Sequence, residues 1–205
     1  MEEIFTPEQV DKLLSGFSKW GSRQGDLMRL ALVTGCRVDE IGSLLLDDVA
    51  QDGSSFSIRH GKTENAARIV PIVENAQRLL VERVTSGLQA QQQLAAGERR
   101  LFPDWPLKPT TGKVNAVSQW FTRYRRLTLG AETDGRLAFH SFRHTWRTVA
   151  RRAGVAEDRI RELGGWEGEK DTADMYDHGL QREQLTQVQQ EIWNALEAQG
   201  YLGKF

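Results

Sequence analysis

Four arginines and two histidines crowd the stretch HSFRHTWRTVARRAG, from His140 to Gly154. Read as one helix, it places Phe142, Trp146, Val149 and Ala153 on a buried stripe, with Gly154 as its stop. Arg143, Arg147 and Arg151, at i, i+4 and i+8, share a different face. His140 and Arg143 then stand one turn apart, where an imidazole and a guanidinium can address a single phosphate. His140 and His144 could instead share a metal, but the acid of an HExxH motif is missing and no third ligand stands out. The run RTVARRAGVAEDRIREL also reads as helix, turn, helix. Its second helix, however, carries Glu157, Asp158 and Glu162 beside Arg159 and Arg161, a poor surface for a major groove.

The phosphate reading draws in residues elsewhere. A guanidinium presents a planar fork that matches phosphate oxygens, and two forks can hold a phosphodiester and stabilise the added charge of a pentacoordinate transition state. Arg37, at the start of a short helix, is a candidate for the second fork. Lys62, at or near a hairpin turn, could protonate a leaving oxygen if its surroundings lower its pKa. Such a site lacks only a nucleophile. Taken singly, each residue has a plainer reading: Arg37 as a salt-bridge partner of Glu40, Lys62 as a solvated turn residue.

These side chains need elements to position them. TPEQVDKLLSGF opens a helix with Thr6 as N-cap, Pro7 in the first turn and Gln9 completing a capping box, with Val10, Leu13, Leu14 and Phe17 on one stripe. DLMRLALVTG predicts a helix stopping at Gly35, and VDEIGSLL a short one burying Ile41, Leu44 and Leu45. The period then changes: Phe56 and Ile58 alternate with polar residues, the polar GKTEN interrupts, and Ile69 to Ile72 resumes, which predicts a β-hairpin. A long helix from about Glu74 to Leu94 follows, then a loop rich in proline, PDWPLKPTTGK. VNAVSQWFTRYRRL predicts a helix with Val117, Trp120, Phe121 and Tyr124 inward. EDRIREL is a further short helix. From Gln181 an amphipathic helix carries Leu185, Val188, Ile192 and Leu196, to pack on its own domain or on a neighbour's. The fold class is α+β, mostly α-helical, with a small antiparallel β-sheet.

The 205 residues, 39% hydrophobic and 27% charged, suit one soluble globular domain. The single cysteine, Cys36, excludes an internal disulfide, and no cysteine spacing suggests a zinc module. With no signal-peptide core and no membrane-spanning apolar run, a cytoplasmic location is expected. The net charge of −1 conceals an asymmetry: residues 59–161 hold 19 basic and 9 acidic side chains between two acidic ends. A basic middle of this kind suits a polyanion, though a solvated charged face would look the same.

Four motifs in order carry a resemblance. TGCRVDEI is similar to a TGxRxxE box, GKT on a hairpin to a lysine element, HSFRHTW to an HxxR box, and LGGW with MYDHG to a closing segment bearing a nucleophilic tyrosine. Together, over residues 34–179, they resemble the tyrosine recombinase, or phage integrase, family. The resemblance implies that Arg37 and Arg143 clamp the scissile phosphate and that Lys62 protonates the departing 5′ oxygen. His140 assists proton transfer, Glu40 orients the cationic groups, and Tyr176 attacks to form a 3′-phosphotyrosyl DNA intermediate. Trp166 stands near a position often held by histidine, and some members use Trp there. His178 receives no role. Arg147, Arg151 and Arg152 are candidates for DNA-backbone contacts or structural ion pairs. Because the phosphotyrosine conserves bond energy, neither ATP nor a metal is implied.

The implied partners are double-stranded DNA, a homotetramer on DNA (a monomer in isolation), accessory DNA-bending proteins and no membrane. The resemblance places residues 1–205 in the catalytic domain, without the core-binding domain that usually precedes it, and makes residues 181–205 a candidate protomer-exchange helix. The expected function is site-specific DNA recombination. Its rivals are a type IB topoisomerase-like relaxing enzyme and a DNA-binding module with an inactive site.

Overall fold

Thr6, Pro7 and Gln9 start the first helix as their spacing predicts. The Thr6 hydroxyl accepts from the Gln9 N–H at 3.3 Å and the Gln9 side chain accepts from the Thr6 N–H at 2.9 Å, closing the capping box at the head of α1 (Pro7–Ser15). The computed structural model describes residues 3–59, 67–91, 99–114, 116–166 and 182–205. Lys62, Tyr176 and His178 therefore lie outside the described residues, as does the predicted end of the long helix at Leu94.

The centre of the molecule is α2 (Arg23–Thr34), capped by the Ser22 side chain and packed against α1. It ends at Gly35, whose φ of 65° and near approach to the Trp146 ring both exclude a side chain. α3 (Val38–Gly42) follows directly. A 3₁₀ turn at Leu46–Asp48 then rotates the chain, so Leu44 and Leu46 are buried while Leu45, predicted inside, is only half-buried.

β1 (Ser55–Ile58) and β2 (Arg68–Pro71) pair antiparallel, Phe56 opposite Val70 and Ile58 opposite Arg68. The alternation predicted for the hairpin is present: Phe56, Ile58 and Val70 face the core, and Ile69 faces out. α4 (Glu74–Gln91) buries Ala76, Leu79 and Leu80. α5 (Val117–Leu129) buries Val117 and Phe121. Trp120 and Tyr124 are half-buried and stack on each other, and the Tyr124 hydroxyl donates to the Leu13 carbonyl at 2.7 Å.

α6 (Ser141–Arg152) and α7 (Glu157–Gly164) complete the shell beside α2. Phe142, Trp146 and Val149 form the expected stripe, but it continues through Ala150. Ala153, predicted inside, is exposed because it is the C-cap, where the chain turns at Gly154 (φ 83°). α8 (Arg182–Ala198) packs on α6, α2, α7 and β2 of its own domain, burying Ile192, Trp193 and Leu196. After it, the Tyr201 hydroxyl donates to the Phe5 carbonyl at 2.9 Å. The architecture is mostly helical with a two-stranded antiparallel sheet, as expected. No helix among the described residues is long and apolar enough to cross a membrane.

The core also holds charge. Arg29 donates to the carbonyls of Phe17 at 2.6 Å and Lys204 at 3.2 Å, and Arg83 lies 3.7 Å from a fully buried Asp26. Burial pushes the Asp26 carboxyl up to about 7, against the pull of Arg83, Arg29 and the Gly21 N–H.

Candidate active site

A helix ends with backbone carbonyls that have no partner within it, and the end of its dipole is negative. At the end of α7, three consecutive carbonyls each receive an arginine. Leu163 O accepts from Arg68 Nε at 2.9 Å, Gly164 O from Arg143 Nη1 at 2.6 Å, and Gly165 O from Arg37 Nη1 at 3.3 Å. The two glycines of LGGW have separate reasons. Gly165 turns left-handed (φ 67°) to end the helix, and a Cβ there would strike Arg68; a Cβ on Gly164 would fall on the Trp166 ring.

Arg37 is the N-cap of α3, and its backbone N–H donates to Glu40 Oε2 at 2.8 Å while its Nη1 donates to Oε1 at 2.9 Å. The same carboxylate takes Arg68 on both oxygens, at 3.3 and 3.0 Å. Burial pushes the Glu40 carboxyl up, but the hydrogen bond and charge of Arg68, with the N–H and charge of Arg37, outweigh it and hold the group below its usual range.

Arg143 projects from α6 into the gap between Gly35 at the end of α2 and Gly164 at the end of α7, and its Nη1 donates to both carbonyls at 2.6 Å. Only 1% of the residue is exposed. Its Nε and Nη2 have no hydrogen-bond acceptor among the described residues. The guanidinium lies face-on to Trp166, 3.5 Å from the ring centroid, and Trp166 stacks in turn on Trp146 at 6.2 Å and 16°. Burial, with the neighbouring charge of Arg37, pushes Arg143 down to about 9. At neutral pH it remains a cation, so a second charge of the same sign is held close to Arg37 and both are poised for an anion.

The structure thus brings Arg37, Glu40, Arg143 and Trp166 together at one helix end. His140 occupies the N-cap of α6, one turn before Arg143, with its ring 4.7 Å from that of His144. No group of three or more potential metal ligands gathers among the described residues. Arg147 approaches the Trp166 ring at 4.8 Å and pairs with Glu157, which Arg151 also reaches at 3.3 Å. Arg151 and Arg152 are exposed at the far end of α6. Of the two uses foreseen for these arginines, Arg147 and Arg151 show the ion pair. Beside the cluster a groove of about 440 Å³ runs between β2, α7 and α8, with Arg68, Ile69, Arg161, Trp166, Arg182 and Leu185 among its walls.

A family model described as the phage integrase family matches residues 3–183, most of the chain. The chain belongs to the phage integrase family. Among its relatives, a protein named as a tyrosine recombinase in Caldanaerobacter subterraneus subsp. tengcongensis is 34% identical over 100 residues, which cover 47% of this chain and 32% of the relative. A protein named as an integrase/recombinase in Sinorhizobium fredii is 25% identical over 171 residues, 80% of this chain and 83% of the relative. Two solved structures share the fold. The integrase from mycobacterium phage Brujita superposes with a TM-score of 0.60 at 16% identity, over 94% of this chain and 58% of that one. The XerA recombinase gives 0.59 at 16% identity, over 95% and 63%. The chain thus spans about a third of the first relative and about three fifths of each of these structures.

Within this phage integrase family member, sequence reasoning missed Arg68. A signal was present: alternation along β2 puts Arg68 on the same face as the buried Val70, and a charge on an inward face has to be paired.

Proposed function

We propose that this chain is the catalytic part of a site-specific DNA recombinase that cleaves and rejoins strands through Tyr176. The observation that carries the reading is Arg143: a buried guanidinium beside a second one, with Nε and Nη2 left without an acceptor among the described residues, asks for an anion that can accept from both arginines. A phosphodiester does so. In the reaction, the Tyr176 oxygen attacks the scissile phosphorus while the bond to the 5′ oxygen breaks. Lys62 supplies the proton to that oxygen, and His140 assists proton transfer at the phosphate. Arg37 and Arg143 carry the charge that grows on the non-bridging oxygens. Rejoining is the reverse attack by a 5′ hydroxyl, which expels the phenolate of Tyr176. Phenol ionises near pH ~10 in water, so the cationic cluster also favours the attacking phenolate.

The nucleophile is assigned from the likeness of MYDHG to the family's closing segment. Tyr176 follows Trp166 by ten residues and precedes Arg182 by six, and both flanking residues line the same groove. The names of the relatives, tyrosine recombinase and integrase/recombinase, favour strand exchange over relaxation. Exchange between two duplexes needs paired active sites, which a homotetramer on DNA supplies, with α8 as an element for linking protomers and DNA-bending proteins as accessory partners.

The test is covalent capture. The protein is incubated in EDTA with a pool of nicked suicide duplexes, including DNA flanking its gene, and DNA surviving SDS on the protein is sequenced. An adduct mapped to Tyr176, absent in Tyr176→Phe while DNA binding persists, is the expected result. No adduct with any duplex, or adducts undiminished in the Phe variant, would overturn the reading.

A further inference from the structure

Glu40 sets an electrostatic problem. Its side chain is 5% exposed and makes two bonds to Arg37, one of the two arginines assigned to the phosphate. A carboxylate that holds a guanidinium also cancels its charge. Paired with Glu40 alone, Arg37 would present an anion with a nearly neutral couple.

We propose that Arg68 is a positioning residue that offsets the charge of Glu40, so that Glu40 can orient Arg37 while Arg37 keeps its full positive charge for the phosphate. Calling the anion a phosphate rests on the recombinase reading above; the charge balance is independent of it. Arg68 meets the carboxylate as a two-pronged fork, Nη1 to Oε1 at 3.3 Å and Nη2 to Oε2 at 3.0 Å. Its Nε is anchored on Leu163 O at 2.9 Å, and Nη2 lies 3.5 Å from the Cys36 sulfur. The division of exposure fits the division of labour. The Arg68 side chain is 8% exposed and turned inward, whereas that of Arg37 is 40% exposed. Each carboxylate oxygen therefore accepts once from the buried fork and once from Arg37, and Glu40 is saturated.

The count of charges makes the same point. Among the described residues of this cluster, Arg37, Arg68 and Arg143 against Glu40 leave two positive charges at the end of α7. A phosphodiester attacked by a phenolate passes through a dianionic phosphorane, so two positive charges match the transition state, whereas one would match only the ground state. Arg68 supplies the difference from inside the protein. Gly165 is what allows it there, because a side chain at that position would collide with the Arg68 guanidinium.

The experiment compares wild type with Arg68→Met, Arg68→Lys and the double variant Glu40→Gln/Arg68→Met, each confirmed folded by circular dichroism. Single-turnover cleavage of a suicide duplex is measured at matched DNA occupancy. Arg68→Met should cleave at least about 100-fold more slowly with DNA affinity within about threefold of wild type, because the loss lies in the transition state. The double variant should recover at least about tenfold over Arg68→Met, since removing Glu40's charge frees Arg37 again. A rate within about threefold of wild type in Arg68→Met, or no recovery in the double variant, would overturn the proposal.

If Arg68→Met does not fold, Arg68→Lys decides. It keeps the charge and drops the fork, and should stay within about tenfold of wild type, whereas a loss as deep as that of Arg37→Ala would overturn the idea. Should wild type form no adduct, the recombinase reading falls and inorganic phosphate tests the charge balance alone. Measured at about pH 8, where inorganic phosphate is a dianion like the phosphorane, its Kd, from the phosphate dependence of the melting midpoint, should weaken about tenfold in Arg68→Met and recover in the double variant. Equal Kd values in all three proteins would overturn it.

Discussion

The Arg143 guanidinium lies against the face of Trp166, 3.5 Å from the ring centroid, while Arg147 approaches the same ring at 4.8 Å. Two cations share one indole, and the indole is backed by Trp146. Trp166 thus closes the far side of Arg143 with a π-face that attracts positive charge without neutralising it, as a carboxylate would.

Trp166→Ala should slow single-turnover cleavage by roughly 30-fold, the equivalent of about 2 kcal/mol for a desolvated cation–π contact. Trp166→Phe, which keeps a ring face, should stay within about fivefold. If the two variants behave alike, the ring is not what holds Arg143.

Arg143→Ala should reduce cleavage by about 10²- to 10³-fold or more, the range for removing a donor that stabilises transition-state charge. Arg143→Lys should not restore it, because one ammonium cannot span the Gly35 and Gly164 carbonyls and still offer a planar fork. Rates of covalent adduct formation at saturating DNA check both.

Gly164→Ala adds a methyl group that falls on the Trp166 ring. The expected result is a stability loss of about 1–3 kcal/mol from overpacking, with a cleavage defect resembling Trp166→Ala. Urea denaturation gives the first quantity. A variant as stable as wild type would show that the Trp166 ring can move aside freely.

Asp26 should leave a mark on the pH dependence of stability. Its carboxyl is raised from 3.8 to about 7 in the folded protein by burial, against Arg83 and Arg29. The folded state therefore binds this proton more tightly than the unfolded chain. The contribution is fully present below about pH 4 and is lost as the pH rises through about 7, at up to about 1.4 kcal/mol per pH unit. Asp26→Asn removes it, so the melting midpoint of the variant minus that of wild type should grow from about pH 4 to about pH 8. A difference that stays flat would sink the assignment.

Much of this was readable from residue order. The capping box at Thr6, the stop at Gly35, the alternation of Phe56 and Ile58, and the stripe through Phe142, Trp146 and Val149 are local rules obeyed locally. The meeting of Arg37, Glu40, Arg143 and Trp166 at the end of α7 was foreshadowed by their resemblance to family motifs. What escaped depends on tertiary context. Arg29, Arg83 and Arg125 are buried because the backbone carbonyls of Phe17, Gly21 and Thr133 meet them, a pairing that no local pattern in the chain announces. Ala153 continues the α6 stripe by count, but the helix ends before it can be covered. Arg68 combined both difficulties: its partners Glu40 and Leu163 are 28 and 95 positions away.

The row of arginines on Leu163, Gly164 and Gly165 also determines what kinds of change the region can absorb. Those guanidiniums are docked on main chain, which every residue type provides, so spelling along the exposed face of α7 is free to drift. Length is not. One residue inserted into or deleted from α7 would turn its last carbonyls by about 100° and shift them by about 1.5 Å. Arg37, Arg68 and Arg143 would lose their seats on these carbonyls in a single event, where point substitutions on the exposed face of the helix would unseat none of them. The end of α7 is in this sense a ruler, and the distance it keeps from Ala156, where the helix begins, is the quantity under constraint.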